Sequence, residues 1–174
     1  MPSQTRVRRL HACAEPEIEA LSNVLIDCVA GGASVSFMAP LSREKAAAYW
    51  RDVAQSAARA ERVVLAAEDT DGAIIGTVQL VLALPENQPH RGEIAKMLVH
   101  RRARRQGVGA ALLIAAEQQA RAAGRTLLVL DTASGDAERL YACHGWQRCG
   151  VIPDYALFPD GRPCATTIFF KSLR

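Results

Sequence analysis

Six residues, Arg104-Arg105-Gln106-Gly107-Val108-Gly109, join an apolar run, Ile94-Ala95-Lys96-Met97-Leu98-Val99, to an Ala/Leu-rich stretch over 110–123. The run reads as a buried strand and the stretch as a helix. A basic glycine turn between the two makes an anion site. Glycine lets the backbone approach a ligand closely, and the free N–H groups of the first helical turn, as far as Ala110, point at it. Guanidinium groups beside the turn suit phosphate. The expected ligand carries a diphosphate. A Walker loop is excluded because Gly109 is followed by Ala110-Ala111, and a dinucleotide fingerprint because Leu112 holds its third glycine position.

Two carboxylates stand near this turn in sequence. Glu93 opens the strand that feeds it, and Asp131 closes the next apolar run, Leu127-Leu128-Val129-Leu130. Ligands of open α/β sheets gather beyond strand ends, which lets both carboxylates face one cleft and take a proton there. A solvated strand-end charge is the competing reading. Lys96 either pairs with a carboxylate of its own strand or holds an acidic group of a substrate. Tyr141, taken alone, reads as a half-buried core residue. Cys143 and His144 are adjacent on one helix and point about 100° apart, so they make no nucleophile–base pair. His144 suits a helix C-terminus.

The elements that must position these residues follow from pattern. A first strand is expected over 7–13, and a helix from Pro16 with Ile18, Leu21, Leu25 and Cys28 inward, stopped at Gly31-Gly32. After an irregular segment over 33–40, Ser42 caps a second helix that turns Tyr49, Trp50, Val53 and Ala57 inward. Strands over 62–68 and 73–83 form a hairpin at Asp69-Thr70-Asp71-Gly72, and 84–92 is a loop. Gly124 ends the long helix, a short helix spans 136–144, and strands over 151–157 and 165–171 close the chain. The order β-α-α-β-β-β-α-β-α-β-β implies a mixed sheet flanked by helices.

Composition bounds the classes. The 174 residues are expected to form one domain, 1–174, and 49% hydrophobic with 22% charged residues is ordinary globular composition. Five cysteines without a Cys-x-x-Cys pair suggest neither a zinc site nor a disulfide framework. The first residues, 1–6, lack the apolar core of a leader, and no apolar run approaches membrane-spanning length. A cytoplasmic protein with reduced thiols, without membrane contact, is the expectation. The net charge of +3 is concentrated at Arg101, Arg102, Arg104 and Arg105. Few aromatics lie beside these arginines, which disfavours nucleic acid as a partner.

The Arg-x-x-Gly-x-Gly turn resembles the acyl-CoA pyrophosphate loop of the GNAT acetyltransferases. Residues 137–146, with Tyr141 four positions before Gly145-Trp146, resemble that family's tyrosine signature. The element order is also the family's, so the resemblance covers nearly the whole chain. Segments 31–38, 93–99, 130–132, 159–162 and 165–171 are similar to its tabtoxin-resistance branch, which acetylates a small β-lactam amino-acid toxin. The implied fold is α/β (α+β): a mixed, mostly antiparallel sheet of about seven strands flanked by about four helices, splayed between 93–99 and 127–132.

The resemblance implies acetyl-CoA as co-substrate, no metal, and direct transfer to a small amine or amino-acid-like acceptor, a tabtoxin-like toxin or antibiotic among them. An alkylammonium with a pKa near about 10.4 must lose its proton, the oxyanion needs donors, and a thiolate leaving group gains from a proton. The matching residues are Glu93 and Asp131 for the first task and Tyr141 for the last. Arg104, Arg105, Gln106, Gly107, Val108, Gly109 and Ala110 would hold the diphosphate. Met97, Leu98 and Val99 would pair with the pantetheine arm, one backbone N–H polarising the thioester carbonyl. Ser36, Phe37 and Lys96 fall on the acceptor side. Many members place asparagine seven residues before the tyrosine to hold the CoA arm; Ser134 stands there. Rival readings are a protein lysine or N-terminal acetyltransferase, and a non-catalytic module binding CoA or nucleic acid. Monomer and homodimer are both open.

Overall fold

A computed structural model describes residues 5–174. Met1, Pro2, Ser3 and Gln4, on which the reading of the N-terminus partly rests, lie outside the described residues. The elements run β1 (Arg6–Leu10), α1 (Glu15–Ala30), α2 (Arg43–Ala58), β2 (Arg62–Glu68), β3 (Ile74–Val81), β4 (Arg91–Val99), α3 (Val108–Ala122), β5 (Leu127–Thr132), α4 (Gly135–Cys143), β6 (Gln147–Leu157) and β7 (Pro163–Ser172). The seven strands form one sheet in the order β1-β2-β3-β4-β5-β7-β6. Every neighbouring pair is antiparallel except β4–β5. This is the mixed, mostly antiparallel sheet with four helices that the family resemblance implies.

Helix starts follow local chemistry. Pro16 lies in the first turn of α1, where its missing N–H costs nothing, and Glu17 accepts the Ala14 N–H at 3.0 Å. Ser42 caps α2 by accepting the Lys45 N–H at 3.2 Å. Both helices cover one face of the sheet, with Leu21, Leu25, Trp50 and Val53 packed on Val64, Ala66 and Leu98. On the other face Leu112, Leu113 and Ala116 of α3 meet Leu65, Val78, Leu80, Leu128 and Phe169, together with Tyr141 and Trp146. Successive residues of β2 feed the two cores alternately, as the period of two requires.

Several bounds differ from the sequence expectation. β1 stops at Leu10, short of Cys13. β4 begins at Arg91, because Arg91 and Gly92 already pair with Leu127 and Leu128. β6 starts at Gln147, four residues earlier than expected. It is an edge strand exposed along nearly its whole length, so it carries no apolar alternation to read.

A polar clamp ties α4 to α3 and β7. Glu117 accepts from Trp146 Nε1 at 2.9 Å and from Lys171 Nζ at 2.6 Å, and Lys171 also donates to the His144 carbonyl at 2.7 Å. Glu117→Ala strands the buried Trp146 donor and the half-buried Lys171 donor and should cost about 2 kcal/mol. A fall of roughly 4–8 °C in Tm by calorimetry would match that loss, and an unchanged Tm would refute the clamp.

Candidate active site

The two parallel strands part after Glu93. β4 and β5 pair only through Arg91–Leu127, Gly92–Leu128 and Glu93–Val129, whereas the opposite edge of β4 stays paired with β3. The parting opens a cleft of about 1680 Å³, which reaches from the segment over 31–38 to the turn before α3. Glu93, Lys96, Asp131, Ser134 and Tyr141 all line it, with Ser36, Phe37, Met97, Leu98 and Val99. The splay read from the resemblance is therefore present, and it gathers residues as far apart in the chain as Ser36 and Tyr141.

At one end lies the basic turn. Gly107 caps α3 in the left-handed region, with φ of 81°, and Arg105 is left-handed as well, with φ of 61°. Among the described residues nothing accepts the backbone N–H groups of residues 105–110. The helix begins at Val108, two residues before the expected start. Gly109 is therefore a helical residue, and a Cβ there would meet Leu140 Cδ2 of α4 at 3.2 Å. A side chain there would press on Leu140, while the glycine of the turn itself is Gly107. The Gln106 side chain turns back to donate to the Arg102 carbonyl at 3.0 Å, so only its backbone N–H is left to face a ligand. Gly107→Val puts a β-branched residue in a strained conformation. The acetyl-CoA Kd should rise at least about tenfold, or about 1.4 kcal/mol, by titration calorimetry. Unchanged affinity in a folded variant would move the anion site elsewhere.

The arginine run divides. Arg101 lies in a short 3₁₀ turn over Arg101–Ala103, absent from the sequence reading. Asp27 of α1 accepts its N–H at 2.8 Å and its Nε at 2.9 Å, and so anchors the chain just ahead of the loop. Burial pushes Asp27 up, but the Arg101 N–H and guanidinium with His100 outweigh it, leaving the carboxyl below its ordinary value. Arg102 pairs with Asp69 at 3.3 Å, and Arg104 donates to the Val99 carbonyl at 3.3 Å. No spacing rule links Asp27 to Arg101, 74 positions away.

Along the cleft, Glu93 is joined to Arg91 by a 2.6 Å ion pair. Residues i and i+2 share a face of a strand, so this partner was within reach of the sequence pattern. Asp131 accepts from Thr166 Oγ1 on β7 at 2.9 Å, a contact only the sheet order creates. Tyr141 is buried, with ring centroids 5.8 Å from both Trp146 and Phe169. Burial first, then the Asp131 charge, pushes its phenol far above the ordinary value. Ser134 caps α4: its hydroxyl accepts the Ala137 N–H at 3.4 Å, which commits it to the helix terminus. Lys96 does not pair with its own strand's carboxylate. Its ammonium donates to Ser36 Oγ at 3.0 Å and stands 6.0 Å from the Tyr49 ring centre.

The splayed strand pair, the basic turn and the phenol share one cleft, and the acetyltransferase (GNAT) family model matches residues 29–146. The chain is a GNAT acetyltransferase. An N-acetyltransferase of Azospirillum brasilense, uncharacterized and encoded between hisH and hisA, is 31% identical over 127 residues, 72% of this chain and 73% of the relative. Among solved structures, the ribosomal-protein-alanine N-acetyltransferase of Brucella melitensis superposes with a TM-score of 0.81. It shares 22% identity, over 97% of this chain and 99% of that one. A phosphinothricin acetyltransferase of Sinorhizobium meliloti, in complex with acetyl-CoA, gives 0.78 at 18% identity over 99% and 89%. At these identities the likeness carries the fold. As a GNAT acetyltransferase the protein is an acetyl-CoA-dependent N-acetyltransferase. None of the described helices is long and apolar enough to cross a membrane.

Proposed function

We propose that residues 1–174 form one acetyltransferase domain that moves acetyl in a single step from acetyl-CoA to a small amino-acid-like amine. The observation that carries the reading is the shared cleft, lined at once by the turn before α3, the open edge of β4, Glu93, Asp131 and Tyr141. Arg104, Arg105 and the N–H groups from Gln106 to Ala110 hold the diphosphate. Met97, Leu98 and Val99 offer the unpaired strand edge to the pantetheine arm, and an N–H there polarises the thioester carbonyl. Asp131 or Glu93 takes the proton of the acceptor ammonium, directly or through water. The free amine attacks the carbonyl, the C–S bond breaks, and Tyr141 gives its proton to the departing thiolate; the proton that the new amide nitrogen sheds restores the phenol, directly or through water. Ser36, Phe37 and Lys96 line the acceptor end. Ser134 serves the CoA arm only through the α4 terminus it caps.

A small acceptor is favoured over a peptide by the covering of that end. Ser34 Oγ donates to the Leu157 carbonyl at 2.8 Å, and the Ala39 N–H donates to the Pro159 carbonyl at 3.1 Å. These bonds draw the segment over 33–40 across to the β6–β7 hairpin, where a peptide would need an open groove. A tabtoxin-like toxin or antibiotic, met in the cytoplasm, is the candidate acceptor; this part of the reading rests on the sequence resemblance. The test is release of CoA thiol from acetyl-CoA across a library of amines, amino-acid analogues, lysine peptides and N-terminal peptides. Turnover should concentrate on small amino-acid-like amines. Turnover confined to peptides would overturn the small acceptor, and saturable acetyl-CoA binding without turnover on any amine would overturn catalysis.

A further inference from the structure

Two residues facing each other across the acceptor end hold conformations that side chains rarely adopt. Lys96 has φ of 49° and Ser36 has φ of 78°, and their side chains are joined by the 3.0 Å hydrogen bond. For Lys96 the cause is a bulge: Thr77 and Gln79 of β3 pair with Leu98 and Ala95, so Lys96 and Met97 are an excess opposite Val78. The bulge aims the lysine into the cleft. Strained non-glycine residues cluster where a side chain is held for a ligand.

The surroundings of the ammonium show what it lacks. Among the described residues no carboxylate lies within 4.0 Å of Lys96 Nζ; Glu93, on the same strand, is taken by Arg91. Behind Lys96 the Tyr49 hydroxyl accepts from Gln79 Nε2 at 2.9 Å, and Gln79 Oε1 accepts from Arg62 at 2.7 Å. The wall is thus backed by a second cation. Burial first, and Arg62 as well, push the Lys96 pKa down, while Asp131 pushes it up. Asp131 is the nearby charge of opposite sign, yet it is bonded to Thr166 and not to Lys96. The acceptor end therefore presents a cation and an anion that do not satisfy each other.

We infer that Lys96, braced by Ser36, is the docking point for the carboxylate of a zwitterionic acceptor whose ammonium group faces Asp131. This rests on the proposed transfer to a small amine and adds the acceptor's second group. The enzyme would then take α-amino acids and reject amines that lack the carboxylate, because binding such an amine leaves the half-buried ammonium without a counter-charge.

Matched triads test it: L-methionine, L-glutamine and L-ornithine, each beside its α-amide and its decarboxylated amine. The readout is the ratio of kcat/KM for the acid to that for its two analogues. If none turns over, the ratio of affinities for the CoA-loaded protein, by calorimetry, replaces it. Wild type should favour at least one acid about tenfold or more. Lys96→Met should collapse that ratio to within about threefold of unity in a protein that still binds acetyl-CoA, and Lys96→Arg should retain it. A wild-type ratio near unity for every triad, or a ratio that survives Lys96→Met, would overturn the assignment. Absence of turnover alone would count against the proposed transfer, while the affinity ratio still decides the role of Lys96.

Discussion

Tyr141→Phe should lower kcat by about 10²–10⁴-fold while acetyl-CoA affinity stays within a few-fold. The substitution keeps the ring between Trp146 and Phe169 and removes only the hydroxyl. That donor matters mainly as charge develops on sulfur, so its loss falls on the transition state. Burial and the Asp131 charge raise the phenol above its ordinary value, so Tyr141 stays protonated through pH 10 and contributes no alkaline limb of its own to the free enzyme's profile. The decisive comparison uses an acetyl donor with a far more acidic leaving thiol. Such a thiolate departs without a proton, and the gap between wild type and variant should then shrink. An equal defect with both donors would make Tyr141 a packing residue.

Asp131→Asn should lower kcat by about 10²–10⁴-fold, and Glu93→Gln by less. The difference follows from where the two carboxylates stand. Glu93 is held by Arg91 at 2.6 Å. Asp131 is held by a neutral hydroxyl, and its charge reaches both Tyr141 and Lys96. Kinetics across pH 6–10 with saturating acetyl-CoA would check the ordering. A larger loss in Glu93→Gln would overturn this ordering and make Glu93 the principal base. Full activity in both variants would eliminate carboxylate catalysis.

What could be read in advance was whatever local pattern controls. Helical spacing of Ile18, Leu21, Leu25 and Cys28 located α1, and the cap at Ser42 located α2. Asp69-Thr70-Asp71-Gly72 joined β2 to β3, and the element order implied the sheet. The residues of the cleft were likewise visible from strand ends and family motifs. Long-range pairing was not: Asp27 with Arg101, Thr166 with Asp131 and Glu117 with Lys171 each join elements distant in the chain. The cap role of Ser134 was hidden for a different reason. An N-cap serine and a ligand-binding serine have the same side chain, and only the start of α4 separates them. The bulge at Lys96 had no signal either, since a lysine in an apolar strand shows nothing of its φ angle.

The parting of β4 and β5 bears on how firmly the protein holds together. A sheet that stops pairing after Glu93 gives up backbone hydrogen bonds, and under the proposed reading a pantetheine arm replaces them, so donor binding and resistance to unfolding become linked quantities. At a hundredfold excess over Kd, acetyl-CoA would add about 2.7 kcal/mol to the folded state. The empty enzyme is then the softer species, and proteolysis with and without acetyl-CoA would register loading before any acceptor is known.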